Sequence, residues 1–413
     1  MRRMNGNEKA ACLCIAGGVA AVLLASPFWA DLAVGKLPQG GIVSSAEPSV
    51  SAPAPTSEPT PAPTPEPEPI YETVRFSASG DNLIHNGLFL QARDRRTDGG
   101  YDFAPAYEPM RSYFASCDVN WLNQETLVNN AYAPSGYPFF STPGDITNAL
   151  YDVGFRVFST SNNHSYDQGA GGIAASREHW ASLPDDVVTA GFYNATTYDD
   201  YAYHTVNGIT IGYLSYTEHT NGLPTPEGSE YRVVYLDQTD VIEQQMAAMR
   251  PNCDVLVVSC HWGVEGSHTV TDGQRSMAQW LADHGADLII GTHPHVTQTA
   301  EWLTAADGRT AFVAYSLGNF ISAQAQHDNM IGLVLQIDFN KVTQPDGSVS
   351  VTLADPQLHP VVTHYGSGYS NIVVYPLQDY TDEMGAAHGN FTMSQASIRQ
   401  VLEASVDPQF LTY

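Results

Sequence analysis

Residues 288–298 read Leu288-Ile289-Ile290-Gly291-Thr292-His293-Pro294-His295-Val296-Thr297-Gln298, and the reading of the whole chain turns on this stretch. An apolar run of strand length ends at Gly291, and two imidazoles follow with only Pro294 between them. Proline fixes its own φ and disfavours the helical region for the residue before it, so the segment is predicted to be extended. Side chains two apart in an extended segment lean to one side. Such a pair at the exit of a buried strand either holds one metal ion, bridges a close pair of ions, or hydrogen-bonds as a structural pair. The rest of the chain decides by supplying or withholding further ligands.

Working outward, residues 272–284 form an amphipathic helix stopped by Gly285, and before it the buried strand 254–259 exits into His261-Trp262-Gly263-Val264-Glu265. The same unit of short strand, polar residue and helical stretch recurs upstream. A strand over 73–79 ends at Gly80-Asp81, with His85 four residues on, and a strand over 119–123 ends at Gln124-Glu125. The strand 155–159 runs into Asn162-Asn163-His164 and Asp167, with helices predicted over 143–153 and 171–182. Asn207-Gly208 between residues 201–206 and 209–216 marks a hairpin. Downstream, helix 239–250, strands 310–316, 331–339, 348–353 and 357–364, and a closing helix over 393–404 complete the pattern. Alternating strands and helices predict an α/β layered β-sheet core flanked by helices, with part of the sheet antiparallel. Sites in such folds gather at the carboxyl ends of strands, where these polar residues fall.

Composition narrows the partners. The chain of 413 residues carries 44 acidic against 17 basic side chains, a formal net charge of −27, and a surface this acidic repels nucleic acid. The five cysteines show no zinc-knuckle spacing, and alternation along 254–259 turns Cys260 away from His261. At the amino end Arg2, Arg3 and Lys9 precede an uncharged apolar run over 10–30, read as a signal-anchor or transmembrane segment (1–30), with cleavage as a secretory signal as the alternative. Residues 31–70 are dense in Pro, Ala, Thr, Ser and Glu, a composition that favours an extended stalk. The expected layout is therefore an anchor to the cytoplasmic membrane, a Pro-rich linker, and an extracytoplasmic domain over 71–413.

Five strand exits deliver Asp81 with His85, Glu125, Asn163 with His164, His261, and His293 with His295. Carboxylate, imidazole and amide oxygen form a mixed donor set suited to Mn, Fe or Zn rather than to a calcium cage. One or two divalent ions are expected, with Glu125 as the natural bridge because one carboxylate offers an oxygen to each.

Six motifs in order, Gly80-Asp81-Asn82-Leu83-Ile84-His85, Asn123-Gln124-Glu125, Asn162-Asn163-His164, His261-Trp262-Gly263, Gly291-Thr292-His293-Pro294-His295-Val296 and Tyr315-Ser316-Leu317-Gly318-Asn319-Phe320, resemble the CapA family of bacterial poly-γ-glutamate capsule synthesis proteins. That family lies in the calcineurin-like metallophosphatase superfamily, and the resemblance covers residues 73–325. It implies a metallophosphatase-like fold in which Asp81 and His295 serve a first metal, Glu125 bridges, and Asn163, His261 and His293 serve a second. It implies His164 as general acid, a role imidazole suits because it titrates near neutral pH. Asp167, Glu265 and Gln298 are candidates to orient the imidazoles. The sequence departs from the superfamily at Leu83, where a histidine is usual, so that either His85 reaches in or the first site lacks a ligand. The functions implied are synthesis or export of poly-γ-glutamate or a related anionic surface polymer beside membrane synthase subunits. An envelope phosphoesterase and a non-catalytic assembly partner of a synthase are the alternatives.

Overall fold

The structure is a computed structural model that describes residues 67–413. The expected anchor (1–30) and all of the linker but its last residues lie outside the described residues. Tyr71 was the expected start of the domain, and Ile70 already begins the first strand.

In chain order the strands that build the two main sheets are β1 (Ile70–Asn82), β2 (Val119–Asn123), β3 (Val157–Ser159), β4 (Val188–Ala190), β5 (Ala202–Val206), β6 (Ile209–Thr217) and β7 (Val255–His261). They continue with β8 (Leu288–Thr292), β9 (Ala300–Thr304), β10 (Thr310–Ala314), β11 (Asn319–Ile321), β12 (Ile331–Thr343), β13 (Val349–Gly366) and β14 (Ser370–Pro376). The longer helices are α1 (Asn86–Asp94), α2 (Ile146–Val153), α3 (Gly169–Ala181), α4 (Thr239–Met249), α5 (Asp272–Asp283) and α6 (Gln395–Ser405).

The first sheet has the order β14-β13-β12-β1-β2-β3-β4, with β11 pairing the end of β1. From β1 to β4 its strands are parallel, while β12, β13 and β14 run antiparallel to their neighbours. The second sheet has the order β9-β10-β8-β7-β6-β5, four parallel strands from β10 to β6 with an antiparallel strand on each side. The expected mixture of parallel and antiparallel strands flanked by helices is therefore present.

Period-two alternation assigns each face. Along β7, Val255 and Val257 join the core shared with the first sheet, whereas Leu256, Val258 and Cys260 pack with Ile242, Met246, Ala278 and Leu281 of α4 and α5. Between the sheets the hydroxyls of Ser159, Ser215 and Ser259 meet, at 2.6 Å and 3.2 Å. Cys260 thus faces helices, as alternation predicts, and Cys117, Cys253 and Cys260 are free thiols.

Register sets the depth of the functional residues. Asp81 pairs with Asn123 on one side and Asn319 on the other, Asn123 pairs with Ser159, and His261 pairs with Thr217 and Thr292. The carboxyl ends of both parallel blocks therefore finish at matched levels. Gly80 makes this closeness achievable, since a Cβ there would lie 1.9 Å from the carbonyl oxygen of Gly318.

Candidate metal centre

Asp81 and Glu125 are fully buried, and around them stand His261, His293 and His295, each at most a few per cent exposed. His261 Nδ1 lies 3.0 Å from Thr292 Oγ1, which leaves Nε2 toward the cluster, 3.0 Å from Asn163 Oδ1 and 3.1 Å from His293 Nδ1. His295 Nδ1 lies 3.2 Å from Asp81 Oδ2 and 3.1 Å from Asn319 Oδ1. Glu125 Oε1 is 3.8 Å from His261 Nε2 and 3.7 Å from His295 Nε2. The structure thus brings Asp81, Glu125, Asn163, His261, His293 and His295 to one place from five strand ends.

The His-Pro-His segment reaches that place by a different backbone from the one expected. His293 has φ 99° and His295 φ 59°, so both occupy the left-handed half of conformational space instead of an extended path. Non-glycine residues rarely adopt such φ values unless their surroundings impose them, and they cluster at functional sites. Here the backbone N–H of His293 donates to Asp81 Oδ2 at 3.2 Å, and the carbonyl of Pro294 accepts from Gly266 N at 2.8 Å. These bonds tie the inverted loop to both sheets.

His164 and Asp167 form a second unit at the rim. Asp167 Oδ2 lies 2.8 Å from His164 Nδ1 and accepts the backbone N–H of Phe140 at 2.7 Å. Asn162 supports the turn, with Nδ2 donating to the Gln124 carbonyl and Oδ1 accepting from His164 N.

Two of the expected residues are held by other partners. His85 caps the start of α1, its Nδ1 accepts the backbone N–H of Ala323 at 3.2 Å, and the ring of Phe140 packs edge-on against both His85 and His164. The turn into α1 therefore holds His85 beside the rim, outside the candidate metal-holding groups among the described residues, and Leu83 is buried. Gln298 touches none of the imidazoles. Its Oε1 accepts from Gln274 Nε2 and its Nε2 donates to the carbonyls of Ser267 and Thr269, so it braces the loop after β7.

Sequence reasoning quoted Asn123 and Asn319 within motifs without giving either a role of its own, and it overlooked His219. Asn123 Nδ2 donates to Asp81 Oδ1 at 2.7 Å, and Asn319 holds His295 from the far side. His219, just past the end of β6, stacks edge-on over His293 with ring centroids 4.9 Å apart. The hairpin signal at Asn207-Gly208 drew attention to β6 as an antiparallel arm and hid its carboxyl end, which also opens onto the site.

The electrostatics test whether a cation fits. Burial pushes Glu125 well above the usual carboxylate range. Burial alone would lower His295, yet Glu125 and Asp81 outweigh it and hold the imidazole up to about 9. Burial drives His261 well down, reinforced by His293, and it takes His293 to about 2. Both carboxylate oxygens of Glu125 and the side-chain oxygen of Asn123 are buried without a hydrogen-bond partner. Orphaned buried acceptors of this kind are costly unless something positive meets them. Carboxylates, imidazoles and an amide oxygen converging on that point fit a divalent cation of the Mn, Fe or Zn type.

A buried centre of mixed oxygen and imidazole donors at the carboxyl ends of two facing sheets defines the class as a candidate divalent-metal α/β protein. Residues 75–324 match the family model described as "Bacterial capsule synthesis protein PGA_cap", and the chain belongs to that family. It is 30% identical over 205 residues to the "PGA biosynthesis protein CapA" of Bacillus subtilis (strain 168), covering 50% of this chain and 52% of that protein. It is 29% identical over 187 residues to the "Capsule biosynthesis protein CapA" of Bacillus anthracis, covering 45% of this chain and 44% of that protein. The chain spans about half the length of the curated relatives it matches. Among solved structures it overlaps the NAD nucleotidase of Haemophilus influenzae with a TM-score of 0.40 at 13% identity, covering 83% of this chain and 57% of that one. The purple acid phosphatase of yellow lupin seeds gives a TM-score of 0.32 at 12% identity, covering 70% and 55%.

Proposed function

We propose that this chain takes part in synthesis or export of poly-γ-glutamate or a related anionic surface polymer, through a divalent-metal centre on an extracytoplasmic domain. The observation that carries the reading is the coincidence of two things: the family match over 75–324 and a buried, cation-seeking cluster built from the residues of its motifs. Asp81, Glu125, Asn163, His261, His293 and His295 would hold one or two ions. When bound, such an ion supplies Lewis-acid polarisation of a phosphoryl or acyl oxygen.

The chain's own residues do the rest. Asp167 fixes the His164 ring through Nδ1, which leaves Nε2 free to hold or deliver a proton at a leaving group. Asn123 and Asn319 lock Asp81 and His295 in position, and burial keeps bulk water from competing at Glu125. Attachment to the cytoplasmic membrane through residues 1–30 and contact with synthase subunits complete the proposal, supported by the basic and apolar pattern of the amino end.

A second reading, an envelope phosphoesterase, is favoured by the His164–Asp167 pair, because a positioned proton donor serves ester cleavage. One experiment separates them. In cells lacking this protein, surface polymer is measured after return of the wild type or of Glu125→Ala, and the purified Mn-loaded chain is assayed on an aryl phosphodiester. Restoration of polymer by the wild type alone supports the capsule role. Unchanged polymer in the deletion, together with metal-dependent turnover, would overturn it in favour of the phosphoesterase.

A further inference from the structure

Among the described residues the candidate donors sort into two triads, Asp81 with Glu125 and His261, and Glu265 with His293 and His295. Within each triad one donor atom per residue lies within 4.8 Å of the others. The triads adjoin, since His293 Nδ1 is 3.1 Å from His261 Nε2 and His295 Nε2 is 3.7 Å from Glu125 Oε1.

We infer that Glu265 is itself a metal ligand, completing with His293 and His295 a second triad beside that of Asp81, Glu125 and His261, so that the centre holds two divalent ions. The inference rests on the proposal that the cluster binds metal at all.

The loop that carries Glu265 is built for that position. Trp262 pins its start, with the backbone N–H donating to the Thr292 carbonyl at 3.0 Å and Nε1 donating to the Tyr315 carbonyl at 2.9 Å. Gly263 N donates to Glu218 Oε2 at 2.8 Å, and Gly266 N donates to the Pro294 carbonyl at 2.8 Å, between the two imidazoles. Gly263 and Gly266 have φ of 93° and 72°, values that side-chain-bearing residues rarely adopt, and between them the turn sets Glu265 against the His-Pro-His loop. Gln298 braces the following residues through the carbonyls of Ser267 and Thr269. Glu265 is solvent-exposed and, among the described residues, makes no ion pair with arginine or lysine, so nothing basic competes for its carboxylate.

The test uses the full chain, stripped with a chelator and reconstituted with Mn2+, then read by elemental analysis and by electron paramagnetic resonance for coupling between adjacent Mn2+ ions. The wild type is expected to hold two equivalents with a coupled signal. Glu265→Gln is expected to hold one with an uncoupled signal and an unchanged circular dichroism spectrum. Glu265→Gln holding as many ions as the wild type would overturn the inference, whether that number is one or two. Absence of metal from the wild type would overturn it too, and would separately remove the underlying proposal.

Discussion

At the scale of single residues the site is governed by what Glu125 lacks. A fully buried carboxylate with neither oxygen hydrogen-bonded is tolerable only when protonated or when a cation stands beside it. Burial holds His261 and His293 neutral, so of the three imidazoles only His295, held up to about 9 by Glu125 and Asp81 against its burial, sets a positive charge beside it. His164 has the opposite provision, a carboxylate at 2.8 Å that selects one tautomer. Asp167→Asn is therefore predicted to lower metal-dependent turnover by roughly 10²- to 10⁴-fold, by presenting the wrong nitrogen, while metal content stays at the wild-type level. Equal turnover in the variant and wild type would show that the pair is structural. The strand-exit pattern made Asp81, Glu125, Asn163, His164, His261, His293 and His295 legible in the sequence. It could not show that His85 would be held at the start of α1 by Ala323 N, because that depends on loop paths set by tertiary hydrogen bonds.

At the scale of elements the sheets read well and their edges less so. Asn207 and Gly208 take φ of 48° and 79°, the pair of left-handed residues that a two-residue hairpin requires, and β7, β8 and α5 fall close to their predicted bounds. Residues 348–353 and 357–364 were expected as two strands and are one, β13, because Asp355 at φ 50° and the register shift between Gln336 and Asp338 absorb the irregularity around Pro356. The His-Pro-His loop was misread as extended because proline's local preference was weighed without the bond from His293 N to Asp81. The most sensitive joint is where β1 meets the turn before β11. Gly80→Ala would place a methyl 1.9 Å from the Gly318 carbonyl oxygen, a backbone atom that cannot step aside. A loss of about 3 kcal/mol or more is predicted in denaturant unfolding. Wild-type stability in this variant would mean that the two turns are not held together as described.

At the scale of the whole molecule the excess of acid over base shapes both partners and pH response. A net charge of −27 favours accumulation of cations near the centre and leaves polyanion capture without an obvious basic surface, since Arg93, Arg96 and Arg111 are engaged by Asp94, Asp98 and Glu108. Away from the centre, burial pushes His359 and His388 down to about 4. Below pH ~6.5 the unfolded chain takes up these protons before the folded one does. The contribution of these two histidines to stability is therefore predicted to be level above that pH and to fall as pH drops toward about 4, where the folded protein also protonates. His359→Gln should flatten that slope in thermal melts taken across this range, and an unchanged slope would exclude His359 as a contributor. The central claim concerns the metal, and elemental analysis of the purified, Mn-reconstituted chain addresses it most directly. The wild type is predicted to retain metal through gel filtration, while His293→Ala and Glu125→Ala lose at least half of it with their fold intact by circular dichroism. Full metal occupancy in both variants would contradict the site described here.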